Sequence, residues 1–369
     1  MPANAALDSM IERIRRAANR GERLRIRGGG SKDFYGEPVS DGEELSTLAL
    51  SGIVSYEPSE LVVTVRAGTP LAELERVLAE CGQSLPFEPP HFSRGAAGGA
   101  TVGGMVAAGL SGPARASAGP LRDYVLGVTM INGRGELVTF GGQVMKNVAG
   151  YDVSRLMVGA LGTLGLIVEV SLKVLPAAPA EATLKFEMPQ ADALQRLNEW
   201  GGRPLPLNAS CWVEDEGRGV LYLRLRGAIA AVEAACGALG GERLRNEDTA
   251  ADWIACRDQQ LQWFTGRGER DLWRVSVPQT APMLELADSP IVEWHGAQRW
   301  VRAEAGQDAR IREAASRAGG HATLFSPKDR NATHRFAPLS PTQGRIHREL
   351  KREFDPASIF NPGRLYPDL

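Results

Sequence analysis

The sequence predicts an α+β protein with two successive folding units, followed by a C-terminal segment that packs back on the first unit. The chain has 369 residues, which suits one or two domains. A first, glycine-rich part ends at a proline-containing break near residues 176–179, and all seven tryptophans lie beyond that break. Strand-like and helix-like runs alternate after it. We therefore predict units at residues 1–176 and 177–325, and a C-terminal segment at 326–369 that packs back towards the first unit.

Composition and charge exclude several functional classes. Charged residues make up 23% of the chain, hydrophobic residues 43%, and the net charge is −2. A net charge of −2 gives no positive electrostatic field that would attract a polyanion, so we do not expect nucleic acid as a partner. No run of 18 apolar residues occurs, and the amphipathic start lacks the apolar core of a signal peptide. We predict no membrane span and a cytoplasmic location.

The cysteines and histidines do not form a recognisable metal motif. The four cysteines are far apart and no C-x-x-C pair occurs, which argues against an iron–sulfur cluster or structural zinc. The five histidines show no H-x-H or H-x-x-x-H spacing. We therefore assign no metal ligand, and only an assembly of distant residues in space would form a site.

The first unit begins with a helix, a short strand and a glycine turn. Apolar residues recur at helical spacing from Leu7 to Ile14, and we expect this helix to end near Gly21. Residues 24–26 alternate as a strand, and Arg27-Gly28-Gly29-Gly30-Ser31-Lys32 follows directly. Successive glycines allow positive φ, and their N–H groups can form an anion-binding nest next to the charge of Lys32. The turn is a candidate phosphate or pyrophosphate cradle, and the alternative is a tight surface turn.

A buried strand and a helix are expected next. The β-branched run at residues 61–65 is typical of a buried strand. Thr69 and Pro70 suit the N-cap and first position of a helix, and Gly82 suits its end. Cys81 falls on the apolar stripe of this helix, so we predict that it packs in the core.

Glycine and other small residues are dense from residue 95 to 165. Residues 100–109 are almost all small or apolar, which suits a backbone pressed against a flat ligand or, alternatively, two closely packed helices. Residues 128–138 predict a hairpin, and residues 151–158 a short helix. Residues 168–174 alternate strictly, which predicts a strand with one exposed face.

The second unit is expected to carry a sheet covered on one face by helices. Its predicted strands are residues 183–187, 220–225, 272–277 and 298–302, and its predicted helices are residues 192–200, 229–239 and 308–318. A further helical run covers residues 343–353, before the ending Asn361-Pro362-Gly363-Arg364.

Three common nucleotide or hydrolase motifs are missing. The chain has no G-x-G-x-x-G, no G-x-x-x-x-G-K-[ST] and no G-x-S-x-G. A Rossmann dinucleotide site, a P-loop and a nucleophile elbow therefore lack support.

An ordered set of segments resembles the PCMH-type FAD-binding domain of the vanillyl-alcohol oxidase superfamily. The segments are residues 27–32, 61–68, 99–104, 121–127, 146–152, 159–167 and 354–364. Total length and Pro86-Phe87-Glu88-Pro89-Pro90-His91-Phe92 resemble, within it, the E-subunit family of bacterial glycolate oxidases. The resemblance implies a two-subdomain FAD-binding domain followed by a smaller α+β cap domain.

The resemblance also implies which residues contact FAD. The glycine turn would wrap the pyrophosphate, residues 101–104 would follow the flavin and its phosphates, and residues 165–167 would reach the adenine. The implied cofactor contacts are Arg27, Gly28, Gly29, Gly30, Ser31, Lys32, Pro89, Thr101, Val102, Gly103, Gly104, Gly112, Arg122, Asp123, Gly165, Ile167 and Asn361. Ser31-Lys32-Asp33 stands where covalent members carry a linking histidine, so non-covalent FAD is expected.

One departure from the related enzymes bears on activity. Related D-2-hydroxyacid dehydrogenases carry G-H-x-G-D-G-N-x-H in the second domain, whereas residues 319–325 here keep a single histidine, His321. No catalytic residue is assigned. The resemblance then implies a subunit of a glycolate-oxidising complex, with a catalytic FAD subunit and an iron–sulfur subunit as partners and a location in the cytoplasm or at the inner face of the membrane. Two alternatives stay open: a flavin-binding assembly subunit without turnover, and an autonomous oxidase of another alcohol or 2-hydroxy acid.

Overall fold

The computed structural model describes residues 3–39, 41–93, 98–142, 152–215 and 217–369. The helices in this part of the chain are α1 (Ala3–Arg20), α2 (Leu71–Glu80), α3 (Val102–Ala108), α4 (Arg115–Ala118), α5 (Gln190–Gly201), α6 (Ile229–Leu239), α7 (Asn246–Arg257), α8 (Gln262–Thr265), α9 (Asp308–Arg317) and α10 (Pro341–Phe354). The strands are β1 (Leu24–Arg27), β2 (Glu43–Ser46), β3 (Ile53–Glu57), β4 (Val62–Arg66), β5 (Gln83–Ser84), β6 (Val125–Ile131), β7 (Leu137–Gly141), β8 (Leu166–Lys173), β9 (Leu175–Pro176), β10 (Ala180–Glu187), β11 (Leu207–Asp215), β12 (Arg218–Gly227), β13 (Glu242–Leu244), β14 (Asp271–Ser276), β15 (Ile291–Glu293), β16 (Gln298–Ala303) and β17 (His321–Ser326). Helices and sheets are both abundant, so the α+β class is confirmed.

A five-stranded antiparallel sheet forms the centre of the first part of the chain. Its order is β3-β4-β8-β6-β7. The predicted hairpin is confirmed, since Ile131 pairs with Leu137 across the β6–β7 turn. Apolar side chains of α2 and α3 pack on this sheet in one buried cluster. The predicted strand at 61–65 starts one residue later, because Leu61 adopts a left-handed φ of 57°.

A small layer joins the two ends of the chain. β1 and β2 pair in parallel, and the buried side of α1 packs on them. Ile359 and Phe360 belong to the same apolar cluster. The amide of Leu24 donates to Ile359 O at 2.8 Å, and the amide of Asn361 donates to Leu24 O at 3.0 Å. The C-terminal segment therefore lies beside the strand that leads into the glycine turn.

Two local predictions for the first part were wrong, and a third holds only in part. Thr69 does not cap α2, because its hydroxyl bonds the backbone of Gly52. Cys81 is exposed, since the helix ends at Glu80 and turns this position outwards. The predicted exposed face of β8 is only partly exposed, since Glu169 and Lys173 are half-buried and Ser171 is buried in the central strand of the sheet.

An eight-stranded antiparallel sheet forms the second part. Its order is β13-β10-β12-β11-β15-β16-β14-β17. Each predicted strand and helix of this part corresponds to an observed element. Helices α5 and α6 cover one face. The expectation of a single covered face was wrong, because α7, α8 and residues of the first part cover the other. The predicted helix at 151–158 is a 3₁₀ turn, Ser154–Met157, and Tyr151 lies outside the described residues.

Candidate functional site

The glycine turn packs directly against a second glycine segment. A Cβ on Gly29 would lie 2.0 Å from the carbonyl oxygen of Gly99 and 2.5 Å from that of Gly98. A Cβ on Gly28 would lie 2.4 Å from Thr101 Oγ1. A side chain on Gly28 or Gly29 would overlap with the facing segment. The two backbones can approach this closely only because these residues are glycines.

The turn presents backbone donors to a cleft. The amides of Gly29, Gly30, Ser31 and Lys32 donate to no partner among the described residues. Gly30 has a φ of +80°, and the side chain of Arg27 folds over it. Arg27 Nε donates to Asp33 Oδ2 at 2.8 Å, which fixes the guanidinium at the edge of the turn. The geometry matches an anion-binding nest.

Helix α3 and strand β8 supply the floor of the cleft. Thr101 Oγ1 accepts a hydrogen bond from the Gly104 amide at 3.2 Å and caps α3. A Cβ on Gly103 would lie 2.7 Å from that of Ala67, so the helix packs tightly on the end of β4. A Cβ on Gly165 would lie 2.1 Å from the Met130 methyl group. The alternative of two closely packed helices was wrong, because α3 packs on the end of β4 and on Gly159 instead of on a second helix. The interpretation as a surface for a flat ligand stays a prediction.

The C-terminal segment closes one side of the cleft. Asn361 Oδ1 accepts from the Ile26 amide at 2.8 Å, and Asn361 Nδ2 donates to Leu161 O at 2.6 Å. The guanidinium of Arg364 donates to Asp33 O at 2.9 Å and to Tyr35 O at 2.5 Å. Burial lowers the pKa of Arg364 to about 10, which leaves it charged at neutral pH.

Lys32 brings a half-buried positive charge to the same cleft. Its Nζ lies 3.2 Å from Ser31 Oγ and 3.4 Å from His91 O. Among the described residues no carboxylate lies within ion-pair distance of it. Burial lowers the pKa of Lys32 to about 8, and the more distant Asp258 opposes this shift. A bound anion would satisfy this ammonium.

The cleft gathers twelve of the seventeen predicted contacts. They are Arg27, Gly28, Gly29, Gly30, Ser31, Lys32, Thr101, Gly103, Gly104, Gly165, Ile167 and Asn361. Gly112 lines a neighbouring cavity, and the side chain of Val102 lies in the core. Pro89 is buried in the loop that follows β5. Arg122 and Asp123 lie apart from the cleft, because the 3₁₀ turn Leu121–Asp123 exposes both side chains.

Sequence reasoning missed several residues that line the cleft. They are Ile26, Asp33, Thr47, Ala67, Ala107, Ala108, Leu161, Gly162 and Arg364. Ala67, Leu161, Gly162 and Arg364 lie in the segments that carry the family resemblance, and Ala107 and Ala108 lie in the small-residue run. Ile26, Asp33 and Thr47 line the cleft through their place in the fold. The resembling segment 146–152 lies outside the described residues except for Asp152.

His321 does not form part of a metal centre in the described part of the chain. Those residues contain no group of three His, Cys, Asp or Glu side chains that could hold a metal ion. Burial and then the charge of Arg274 lower the pKa of His321. In the described ranges, moreover, none of the helices has the length and hydropathy needed to cross a bilayer.

Comparison with known proteins identifies the family of the chain. Residues 5–141 match the family model described as an FAD binding domain. The chain is 44% identical to the glycolate oxidase subunit GlcE of Escherichia coli (strain K12), over 98% of this chain and 97% of that protein. It is 30% identical over 147 residues to the glycolate oxidase subunit GlcD of Bacillus subtilis (strain 168), which covers 40% of this chain and 30% of that protein.

Solved structures support the fold. An alkyldihydroxyacetonephosphate synthase matches with a TM-score of 0.64 at 16% identity, over 96% of this chain and 74% of that one. Identity at that level supports the architecture alone. The near full-length similarity to GlcE carries the assignment further: the chain belongs to the FAD-binding family of glycolate oxidase GlcE subunits.

Proposed function

We propose that this chain is the FAD-binding subunit of a hetero-oligomeric complex that oxidises glycolate to glyoxylate and passes the electrons to a quinone or another acceptor. The observation that carries the proposal is the cleft at residues 27–32. There, amides without a hydrogen-bond partner in the described part of the chain meet a half-buried ammonium and glycines without room for a Cβ. Such a surface suits a pyrophosphate beside a flat ring system.

Each wall of the cleft has a role in holding FAD. The amides of residues 29–32 would donate to the pyrophosphate, and Lys32 would balance its charge. Residues 101–104 would lie along the cofactor, and residues 165–167 would contact its adenine end. FAD supplies acceptance of two electrons, and the protein supplies binding and orientation. No histidine occurs in the turn, so we expect non-covalent binding.

The proposed partners are a catalytic FAD subunit and an iron–sulfur subunit, in the cytoplasm or at the inner face of the membrane. The single histidine at residues 319–325 supports this division of labour, because a metal-assisted oxidation needs several ligands. The alternatives are an assembly subunit whose flavin does not turn over, and an autonomous oxidase.

Acid precipitation of the purified chain tests the cofactor assignment. We expect about one equivalent of FAD in the yellow supernatant and none in the pellet. Flavin that stays in the pellet, or FMN in the supernatant, would contradict non-covalent FAD.

Turnover with and without partner subunits tests the complex. We expect the isolated chain to sustain little glycolate-dependent reduction of an artificial acceptor, and the reconstituted complex to sustain it rapidly. Rapid turnover by the single chain, abolished in His321→Ala, would favour the autonomous oxidase. A flavin that the partners never reduce would favour the assembly subunit.

A further inference from the structure

A cavity of about 510 Å³ lies between the edge of the eight-stranded sheet and the C-terminal segment. Its walls come from β14, β17, the start of α9, residues 328–338 and Tyr366, and Glu37 of the first part joins them. Among the described residues, none lines both this cavity and the glycine cleft. The volume suits a small molecule, since ligand cavities in proteins usually measure about 300–1,000 Å³.

The cavity has a buried end and an exposed rim. Glu37, Trp273 and Leu324 are buried, and Glu37 is only 2% exposed. Asp308 and Asp329 are exposed. A ligand that enters from solvent would therefore pass the two aspartates first and reach Glu37 last.

Glu37 brings an unsatisfied acceptor to the buried end. Its Oε1 accepts from the Arg335 amide at 2.6 Å, whereas its Oε2 has no hydrogen-bond partner among the described residues. Buried polar atoms are nearly always hydrogen-bonded, so this oxygen points to a ligand. The ligand must supply a donor, because a carboxylate oxygen accepts.

The neighbouring arginines do not supply that donor. Burial lowers the pKa of Arg312, of Arg335 and of Arg364, and the charge of Glu37 opposes each of these shifts. Their guanidinium N–H groups donate to backbone carbonyl oxygens instead. The three arginines therefore offset the charge of Glu37 and leave its Oε2 open to a further donor.

The rest of the lining carries an excess of negative charge. Asp271, Asp308 and Asp329 line the cavity and form no ion pair in the described part of the chain. Two basic residues share the lining. One is an arginine already bound to carbonyl oxygens, and the other, Lys328, pairs with Glu269, with 2.7 Å between Nζ and Oε2.

This charge favours an organic cation over a metal ion. The described residues contain no group of three His, Cys, Asp or Glu side chains that could hold a metal. Half-buried aromatic side chains complete the wall, because the ring centroids of Phe336 and Tyr366 lie 5.9 Å apart. Such rings pack against alkyl chains and attract cations to their faces.

We propose that this cavity binds a small organic dication, a short alkyl chain with an ammonium or guanidinium group at each end. One cationic group donates to Glu37 Oε2 at the buried end. The alkyl chain packs against Phe336 and Tyr366, and the second cationic group lies between the carboxylates of Asp308 and Asp329 at the rim.

Calorimetric titration of the purified chain with agmatine, a butane chain with an ammonium and a guanidinium at its ends, tests the inference. We expect saturable binding of about one equivalent, at least about threefold tighter than that of butylguanidine, since an exposed ion pair adds little. Butanediol, which keeps only hydroxyl donors, should not bind. Wild-type protein that binds no agmatine, as when water satisfies Glu37, or that binds butanediol equally well, would overturn the inference.

A second titration separates a free dication from a side chain of a partner protein. Acetyl-arginine amide presents its guanidinium as a protein would, and it should bind more weakly than agmatine because it lacks the second cation. Tighter binding of the arginine derivative would overturn the choice of a free dication.

Matched variants then locate the site. Glu37→Gln should weaken agmatine binding at least about tenfold, because a charge-assisted hydrogen bond is lost while the amide oxygen can still accept from the Arg335 amide. The double change Asp308→Asn and Asp329→Asn should weaken agmatine to the level of butylguanidine. Glu313→Gln is the control, since this exposed carboxylate lies on α9 outside the lining.

Thermal unfolding and FAD content report whether each variant keeps its fold, and the rim variant decides the matter if Glu37→Gln does not. Equal effects of the rim variant and Glu313→Gln would overturn the inference.

The inference goes beyond the proposed function, and the two fail separately. A chain that carries FAD but binds no agmatine contradicts the cavity and leaves the FAD-binding subunit intact. A chain that binds agmatine with the predicted selectivity but carries no FAD contradicts the proposed function and leaves the cavity intact.

Discussion

Single residues determine whether the cleft can form. The close approach of the turn to Gly98 and Gly99 explains why Gly29 cannot carry a side chain, although its φ lies in the ordinary range. The left-handed residue of the turn is Gly30. The requirement at Gly29 is therefore one of space, and the requirement at Gly30 one of backbone conformation.

We expect Gly29→Ala to lose bound FAD, because its Cβ would meet two carbonyl oxygens that cannot move independently of the backbone. The measurement is flavin absorbance per protein after gel filtration. Gly237→Ala is the control, since its Cβ would meet nothing within 4 Å. Equal flavin content in both variants would show that the turn is not the pyrophosphate site.

Lys32 should make FAD affinity pH-dependent. Burial lowers its pKa to about 8, so the free chain loses this positive charge as pH rises through 8. Because the charged form attracts a pyrophosphate, we expect the FAD dissociation constant to rise by up to about tenfold per pH unit above that pKa. Fluorescence titration from pH 6.5 to 9.5 measures it.

Two variants check the source of that slope. Lys32→Gln should bind FAD more weakly at pH 7 and show little change with pH. Lys185→Gln, at a partly exposed lysine 3.8 Å from Glu242, should keep the wild-type slope. An unchanged slope in Lys32→Gln would contradict the assignment.

At the scale of elements, α10 and the segment after it hold the edge of the cleft. Ser340 and Gln343 form a capping box that starts the helix. At the other end, Lys351 Nζ donates to Thr163 O, Phe360 O and Asp355 Oδ2, each at 2.8 Å. These three buried hydrogen bonds of Lys351 fix the path of the chain that leads to Asn361.

Lys351→Met should destabilise the protein by about 3–5 kcal/mol, because the buried carboxylate of Asp355 loses its only ion-pair partner among the described residues. Urea unfolding measures the free energy, and flavin content should fall with it. Lys185→Met should change stability by less than about 0.5 kcal/mol, as expected for a more exposed pair. If Lys351→Met lost less than about 1 kcal/mol of stability, the buried Lys351–Asp355 pair would not hold the C-terminal segment in place.

At the scale of the whole molecule, a charged network fixes the second part against the first. Glu88 accepts from Arg224 Nη2 at 2.7 Å and from Arg226 Nη1 at 3.2 Å. Its Oε2 also accepts from the Ala114 amide at 3.1 Å. The loop that carries Glu88 thus ties the eight-stranded sheet to the first part of the chain.

Glu88→Gln should cost about 3–5 kcal/mol at pH 7, because it leaves Arg224 charged and buried without a carboxylate. Burial by itself would raise the pKa of Glu88, but Arg224 and Arg226 lower it below its ordinary value. Since the folded pKa is lowered, this stability is present at neutral pH and is lost as pH falls through the folded pKa.

Urea unfolding at pH 7 and under acid conditions should therefore show a smaller acid sensitivity in Glu88→Gln than in wild type. Glu187→Gln, at an exposed pair with Arg218, should match wild type at both pH values. If Glu88→Gln were as acid-sensitive as wild type, carboxylates other than Glu88 would cause the loss of stability in acid.

The sequence by itself predicted most local elements and proposed an anion-binding chemistry for the turn. Helical and alternating patterns located α1, the β6–β7 hairpin and most of the second part, because these features depend on neighbours along the chain. Three glycines followed by a lysine predicted a phosphate cradle from neighbouring residues alone. The family resemblance implied seventeen cofactor contacts, of which twelve line one cleft.

Only the tertiary structure decided which distant residues meet. Asn361 and Arg364 reach the glycine turn because the C-terminal segment lies beside β1. Arg257, Arg274 and Gln298 line one cavity because α7, β14 and β16 converge there. Spacing along the chain carries no record of such contacts. The pKa of Lys32 is likewise set by burial, which depends on the whole fold.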